Sequence, residues 1–578
     1  MTTMRPTSGR RRRQSGVAII LLSLMLCTIL LPMIGLAFDL TIMYLVKAKL
    51  SGAVDAAVLA AGRSLTGSQT LAAQQTQVTN IALDFLNANM PQGYWGTSAT
   101  PTVLTPTANI VTQDTTNMRI LVTLAANVQV PTIFMQFIQP TVTVAASAQA
   151  ARRYLRMMIV LDRSSSMSGD PIAQLKLAVS NSDPSNPGFV QDFFEGQDDL
   201  GLVILGASAI VAYPPRDPTI AGGGGNGPDS NFKTIANPNI PTLVNMMVDE
   251  SNTATAEAVT LAYKELQKNP QPLYYNVIVL FTDGLPNGIT AGWNGAAPAV
   301  FYSGDTGNTA TTVSSINTAS TCKYKKYSDF TNIPSHQIVG SIAQWDNYNN
   351  RDTDIRGIYA PMMTTKYPWT GYSSPGQDVE NYVSDPSLGA KGAADNNPVG
   401  TSTSNPAGWA DNCSFITGGS EVGKADNDIG SFPAGDLYGN ALLTNDYEAS
   451  LNFHLVGGTL ISSTDVKNAY QIGNVSWNAA YQASVRIRHD TTLKPVIYCI
   501  GYTGDGGVDH ALLKRMTNTN QGFTTDTWST ATGGDPQGPY PSTAYDPTST
   551  SGMYYDAGPG GIAAAFQEVR SQILALAK

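Results

Sequence analysis

The sequence predicts an α/β protein. A doubly wound, mostly parallel sheet carries a long insertion and follows a small β-rich stalk and an N-terminal transmembrane helix. Three observations carry this prediction. From about Arg153 onward, strand and helix patterns alternate, which implies parallel strands covered by helices on both faces. Two of the strand patterns, 157–161 and 277–281, are unbroken apolar runs, as in strands buried on both faces. Residues 17–38 form an uncharged run long enough for a helix to cross the ~30 Å core of a bilayer.

Composition narrows the function. A chain of 578 residues is long enough for two to four domains, and 42% apolar residues suffice for cores. The net charge of −9 argues against nucleic acid as a partner. The four cysteines show neither Cys-x-x-Cys nor zinc spacing. Cys27 lies in the apolar run and Cys499 in a predicted strand, which leaves Cys322 and Cys413 as the pair able to bridge, with the bridge itself left open. No internal repeat is visible.

In chain order, residues 1–16 are a basic tail with Arg5 and the run Arg10 to Arg13. Next to a spanning segment, such a cluster stays cytoplasmic and sends everything after Asp39 to the outer side. Pro32 and Gly35 are tolerated in membrane helices. A cleaved signal peptide is the alternative, but its apolar part is usually ~7–15 residues, shorter than 17–38. Residues 39–99 continue as helix. Leu50, Ala53, Val54, Ala57, Val58 and Ala61 keep helical period, and a second helix is expected at about 72–88. Ala53, Ala56, Ala57 and Ala60 allow close approach of a helix, either this chain's own next one or another protein's.

The Arg-rich start, the single span, Phe38-Asp39-Leu40 and the run from Leu50 through Asp55-Ala56-Ala57-Val58-Leu59-Ala60-Ala61 together resemble the N-terminal region of TadE/TadG-like proteins of bacterial tight-adherence (Flp) pilus assembly. The resemblance implies a single-pass inner-membrane protein with its bulk periplasmic or extracellular, and pilus-assembly components as partners. Prepilin-like relatives carry a Glu five residues after their cleavage glycine. Here that position after Gly16 is Leu21, so prepilin-peptidase processing is not expected.

Residues 100–152 turn to short Thr- and Val-rich runs broken by Pro, the expected β-rich stalk. The sheet domain should then occupy 153–289 and 465–578. Helices are expected at 171–179, 255–266, 512–516 and through Ile562, Phe566, Val569 and Ile573. Further strands are expected at 200–205, 209–212 and 495–500. Between them, 290–464 is rich in Asn, Gly, Ser, Thr and aromatics. A structureless loop of that length is abnormal, so it reads as an inserted subdomain or a partly disordered segment. Trp293, Tyr302, Trp345, Tyr348, Trp369, Tyr372 and Trp409 serve either its packing or a recognition surface. Because it leaves the sheet just after Asp283, the insertion should overhang that strand end.

The strand at 157–161 ends in Asp162-Arg163-Ser164-Ser165-Ser166. At the carboxyl end of a parallel strand, where such sheets bind ligands, one carboxylate and two hydroxyls offer a hard divalent cation an all-oxygen site. Capping of the loop and helix by the same residues is the plainer alternative. The Asp-x-Ser-x-Ser pattern, the Ser251 to Ala258 stretch with Thr253, and the second buried strand ending in Asp283-Gly284 resemble, in order, the three parts of the metal-ion-dependent adhesion site of von Willebrand factor A domains. Ser251, Asn252 and Ala256 depart from that family's glycines. The resemblance implies a Rossmann-like sheet and a Mg²⁺ (or Mn²⁺ or Ca²⁺) ion held by Asp162, Ser164, Ser166, Thr253 and Asp283. A protein partner would add an acidic side chain, and no covalent chemistry is implied.

Other motifs carry less. Gly418 to Ala425 approaches a phosphate-binding loop but has Ala425 where the hydroxyl belongs. Gly222 to Gly227 reads as linker, and Asp426-Asn427-Asp428 as a turn. His336, His454, His489 and His510 form no metal-ligand spacing, and His510 is expected to open a solvent-facing helix. Ser164 and Ser166 have no base nearby in sequence. The leading expectation is therefore a non-enzymatic pilus-assembly component. An adhesin for external ligands, using the aromatic insertion, and an enzyme with its active site in the insertion are the alternatives.

Overall fold

A computed structural model describes residues 14–65, 71–97, 100–206, 209–214, 227–234, 239–247, 249, 253–295, 300–302, 310–312, 337–344, 355–359, 429–431, 433–436, 438–443, 469–504, 508–524 and 540–576. The chain divides into two units, one of Met1–Leu65 with Gln69–Arg152, the other of Arg153–Ala577.

The first unit opens on helix α1, Gln14–Met25, which passes through a π-helical turn, Leu26–Leu30, into α2, Leu31–Arg63. Side chains along 19–34 are exposed and almost all apolar. This is the one helix among the described residues long and apolar enough to cross a membrane, judged by length and composition. Beyond residue 40 the helix acquires a buried stripe of Ile42, Val46, Leu50, Ala53, Val54, Ala57, Val58 and Ala61. The small residues of that stripe let α3, Leu71–Asn89, pack against it, burying Val78, Ala82 and Leu86. The partner of the alanine face is thus this chain's own next helix.

A four-stranded sheet completes this unit: β1, Thr102–Val103; β2, Val111–Asp114; β3, Arg119–Pro131; and β4, Thr141–Arg153. On β3, Ile120, Val122, Leu124, Ala126, Val128 and Val130 are buried alternately, the strand period of two, and β3 lies against α2. The helical and β-rich regions therefore share one compact unit.

The second unit holds a six-stranded sheet. Its strands are β5, Leu155–Asp162; β6, Asp199–Leu205; β7, Ala209–Tyr213; β8, Tyr275–Thr282; β15, Val496–Tyr502; and β16, Tyr554–Ala557. The order is β16-β15-β8-β5-β6-β7, with every pairing parallel except β6 with β7. Every residue of β5 and β15 is buried, so their sequences are apolar runs rather than alternations.

Helices cover both faces. Met157, Ile159, Leu161, Val279 and Phe281 face α4, Asp170–Ser180, α5, Ile240–Met246, and α9, Ile562–Leu576. Met158, Val160, Ile278, Leu280 and Cys499 face α6, Thr255–Gln267, α7, Ala469–Arg488, and α8, His510–Thr517. Local chemistry sets the helix ends. Pro171 opens the first turn of α4. Asp509 caps α8 by accepting from the Leu512 N–H, and Asn518 ends it in the left-handed conformation.

Helix α8 corrects the expectation for His510. Ala511, Leu512, Leu513, Arg515 and Met516 are buried, and His510 itself is half-buried. The helix is not solvent-facing, because it lies against β15.

The insertion contains regular structure. Strands β9, Gly288–Gly295, β12, Gln337–Gln344, β13, Ile355–Tyr359, and β14, Ile429–Ser431, form an antiparallel sheet in the order β13-β12-β9-β14. Strands β10, Val300–Tyr302, and β11, Ala310–Thr312, form a hairpin. Tyr438 and Leu442 join the same core as α6. Trp293 and Tyr302 lie on β9 and β10. Trp345, Tyr348, Trp369, Tyr372, Trp409, Cys322, Cys413 and the 418–425 loop lie outside the described residues.

Candidate metal centre

Adjacent parallel strands β5 and β8 end side by side, so the turn after one meets the turn after the other. Asp162 is the last residue of β5, and both its carboxylate oxygens are engaged. Oδ1 accepts from the Ser164 N–H at 2.8 Å, and Oδ2 accepts from the Thr282 hydroxyl at the end of β8. These two bonds fix the start of the 164–167 turn, whose next segment is a short 3-10 turn, Ser165–Met167.

Three oxygens then converge. Ser164 Oγ and Ser166 Oγ lie 2.9 Å apart, 3.1 and 2.9 Å respectively from Asp283 Oδ1. The triangle has three close contacts but only two hydroxyl protons, so an ionised Asp283 leaves one contact without a hydrogen. Octahedral coordination by Mg²⁺ at ~2.1 Å per oxygen implies edges of roughly 3.0 Å between neighbouring oxygens. The three separations fit such a face. Asp283 Oδ2 is buried and has no hydrogen-bond partner among the described residues.

Thr253 completes the group. A Cβ placed on Gly284 would lie 3.0 Å from Thr253 Oγ1 and 3.9 Å from Ser166 Oγ, so that hydroxyl faces the same corner. The Thr253 backbone is held on both sides: its N–H donates to Asn287 Oδ1 at 2.7 Å, and its carbonyl accepts from the N–H groups of Asn287 and Gly288. All five sequence-predicted residues therefore sit together. Asp162, Ser164, Thr253 and Asp283 are buried, and Ser166 is exposed, so the cluster opens to solvent on that side. Ser251 and Asn252 lie outside the described residues.

Sequence reasoning gave no role to Thr282 or Asn287 and named Gly284 only as the neighbour of Asp283. Thr282 and Gly284 flank Asp283 and were legible as neighbours of a strand-end carboxylate. Asn287 touches Thr253 across 34 residues, and no local pattern signals it.

Electrostatics disfavours the ionised form of both carboxylates. Burial pushes the Asp162 carboxyl well above its ordinary range, against the pull of the Thr282 and Ser164 hydrogen bonds. Burial does the same to Asp283, and the neighbouring Asp162 charge adds to it. A cation would reverse both effects. Every donor is an oxygen, the set preferred by Mg²⁺ or Ca²⁺ over soft metals. Among the described residues no group of three or more His, Cys, Asp or Glu side chains could hold a metal.

A separate polar cluster lies along the edge strand β16, beside the start of α8. His510 Nδ1 is 2.6 Å from the Tyr554 hydroxyl and 2.8 Å from Asp556 Oδ1. Asp556 is pushed up by burial but pulled further down by the hydrogen bonds from His510 and Tyr554, for a net lowering. The contacts tie α8 to the sheet edge.

No curated protein sequence matches the chain. Among solved structures, the chain is similar to the vWF domain of the type V pili tip protein Mfa5 from Porphyromonas gingivalis, with 13% identity, 74% of this chain and 97% of that one covered, and a TM-score of 0.29. It is also similar to a point mutant of the PilB minor pilin from Streptococcus sanguinis, with 12% identity, 82% and 78% coverage and a TM-score of 0.27. A third similarity is to the pilus adhesin SpaC from Lactobacillus rhamnosus GG, with 11% identity, 81% and 33% coverage and a TM-score of 0.24. All three are loose matches. Residues 16–64, from the apolar helix through its buried alanine stripe, match the Tad family model, described as "Putative Flp pilus-assembly TadE/G-like".

Proposed function

We propose that the chain is a membrane-anchored, non-enzymatic component of tight-adherence (Flp) pilus assembly that grips a protein partner through a divalent cation. The Tad match over 16–64 supports the pilus assignment, and the exposed apolar helix supports the anchor. On this reading the basic tail stays in the cytoplasm, which would put the outer part in the periplasm or beyond. The outer part is read as a von Willebrand factor A domain of 153–289 and 465–578, interrupted by 290–464.

The observation that carries the reading is the convergence of Ser164, Ser166 and Asp283 oxygens beside Thr253, with Asp283 Oδ2 buried and unpartnered among the described residues. Ser164, Ser166 and Thr253 would give the ion hydroxyl oxygens, and Asp283 a carboxylate. Asp162 holds the Ser164 turn in place. At the opening beside Ser166 the ion would keep one coordination position that this chain's own side chains do not fill. An acidic side chain from the partner would take that position.

Capture by the membrane-extracted full chain from a lysate of its own cells tests this. Recovery of pilus-machine proteins with Mg²⁺, lost with chelator and with Asp283→Ala, is expected. Recovery unchanged by chelator would overturn the cation's role. Cation-dependent capture of surface or host ligands alone would replace assembly with adhesion.

A further inference from the structure

We propose that the tip of the β3–β4 hairpin, residues 131–140, is a second membrane contact that dips into lipid at the outer end of the spanning helix. This rests on reading 17–38 as a span. Hairpin tips in water are dominated by Gly, Pro, Asn, Asp and Ser. This one reads Pro-Thr-Ile-Phe-Met-Gln-Phe-Ile-Gln-Pro and has no charge. Ile133 and Phe134 are exposed, and Phe137 and Ile138 are 92% and 83% exposed. Four large apolar side chains on one turn form a patch that marks an interaction site.

The patch is continuous with the apolar surface of the helix. Phe134 lies so close to Gly35 that a Cβ there would meet its ring at 2.6 Å. Phe38 and Phe134 pack edge to face with centroids 6.0 Å apart. Gly35 and Phe38 belong to the last turn of the span, where Met33, Ile34 and Leu36 are exposed alongside them. A bilayer that covers those helix residues meets the hairpin tip at the same level. Lipid is therefore the occupant that the geometry favours over a second protein.

Backbone groups at that depth need internal partners. Asp39 supplies them. Its buried carboxylate accepts from three successive N–H groups, Ile133 at 2.9 Å, Phe134 at 3.0 Å and Met135 at 2.8 Å. Within the tip, the Ile138 and Gln139 N–H groups donate to the Met135 carbonyl, and Thr132 N–H donates to that of Pro140. The same three bonds compensate a carboxylate that would otherwise be stranded beside the bilayer. The pairing suits a hairpin that leaves water.

The test uses the full chain in lipid nanodiscs. A single trifluoromethyl-phenylalanine replaces Met25, Thr116 or Phe137 in turn, read by ¹⁹F relaxation with a water-soluble gadolinium chelate or with nitroxide-bearing lipid. Thr116 lies beyond the far end of β3, roughly 40 Å of strand from the tip, and serves as the aqueous reference. Met25 is the lipid reference. The label at 137 should behave as at 25, relaxed severalfold more by the lipid nitroxide than by the chelate. If 137 behaves as 116 while 25 stays in lipid, the span stands and the dip is refuted. Shielding of 137 from both agents would mean a protein partner and also refute it. Exposure of 25 to the chelate would overturn the span and, with it, the proposal.

Discussion

Ser164 Oγ lies 3.1 Å from Asp283 Oδ1 although 119 residues separate them in the chain. Two parallel strands ending in register make that possible, since β5 and β8 pair from Leu155↔Tyr275 to Leu161↔Phe281. The polar cluster is thus braced by two strands whose own residues are buried. Its two carboxylates are buried, and a cation would offset their charge.

Saturating Mg²⁺ should therefore raise the melting transition of the outer part. At a hundred times Kd the gain is about 2.7 kcal/mol, or roughly 5–10 °C for a domain of this size. Calorimetry of the detergent-solubilised chain with Mg²⁺ and with chelator measures it. Asp283→Ala should abolish the shift, and identical melts for the native chain in both conditions would remove the cation from the account.

The pH dependence has a definite sign. Asp162 and Asp283 are raised by burial, and burial also pushes Asp436 up to about 6, against its hydrogen bonds from Asn440 and Tyr438. A carboxyl raised in the folded state stabilises the fold below its unfolded value near 4 and loses that contribution as pH rises through the folded value. Without metal, these groups should make the chain more stable near pH 5 than at pH 7.5. With Mg²⁺, protons and cation compete, so the stabilisation by Mg²⁺ should shrink as pH falls from 7.5 to 5. Denaturant titrations across this range, with and without chelator, check both directions.

Gly284→Ala probes the corner where Thr253 sits. Its Cβ would stand 3.0 Å from Thr253 Oγ1, tight enough to displace the hydroxyl by a few tenths of an ångström. Cation affinity should fall several-fold with little loss of fold. Gly558→Ala, whose Cβ meets nothing nearer than Thr503 Oγ1 at 4.0 Å, is the control. Isothermal titration with Mg²⁺ reads both, and equal affinities would show that Thr253 is not a ligand.

Much of this was legible because the signals were local. The runs at 157–161 and 277–281 are apolar because both faces of β5 and β8 are covered, and their terminal aspartates stand next to them in sequence. The alanine stripe of α2 was readable as a packing face, although only the fold shows that α3 fills it. Other parts had no local signature. Asn287 holds Thr253 through a contact between two loops, and Asp39 caps a hairpin 94–96 residues away. His510 looked solvent-facing because a single histidine at a helix start is polar, yet α8 turns its apolar residues and that histidine onto the sheet edge. In the insertion, glycines at 292, 340, 357 and 430 interrupt the isoleucines of β9, β12, β13 and β14, so no strand there presents an unbroken β-branched run.

Tyr438→Phe tests how the insertion is fastened. The Tyr438 hydroxyl donates to Glu257 Oε1 at 2.8 Å, and Asn440 Nδ2 donates to Thr260 Oγ1 at 3.1 Å, so the 433–443 segment clasps α6. Glu257 is buried in the first turn of that helix, and its other oxygen accepts from the Ala209 N–H at 3.2 Å. Helix α6 begins two residues after Thr253, so its position is also that of the cluster. Removing one hydroxyl from a buried, charged acceptor costs about 1.5–3 kcal/mol. The denaturant midpoint should fall accordingly, while Mg²⁺ affinity changes little, because the Ala209 bond still orients Glu257. A loss below about 0.5 kcal/mol, the usual scatter of neutral surface changes, would mean that the insertion is held elsewhere.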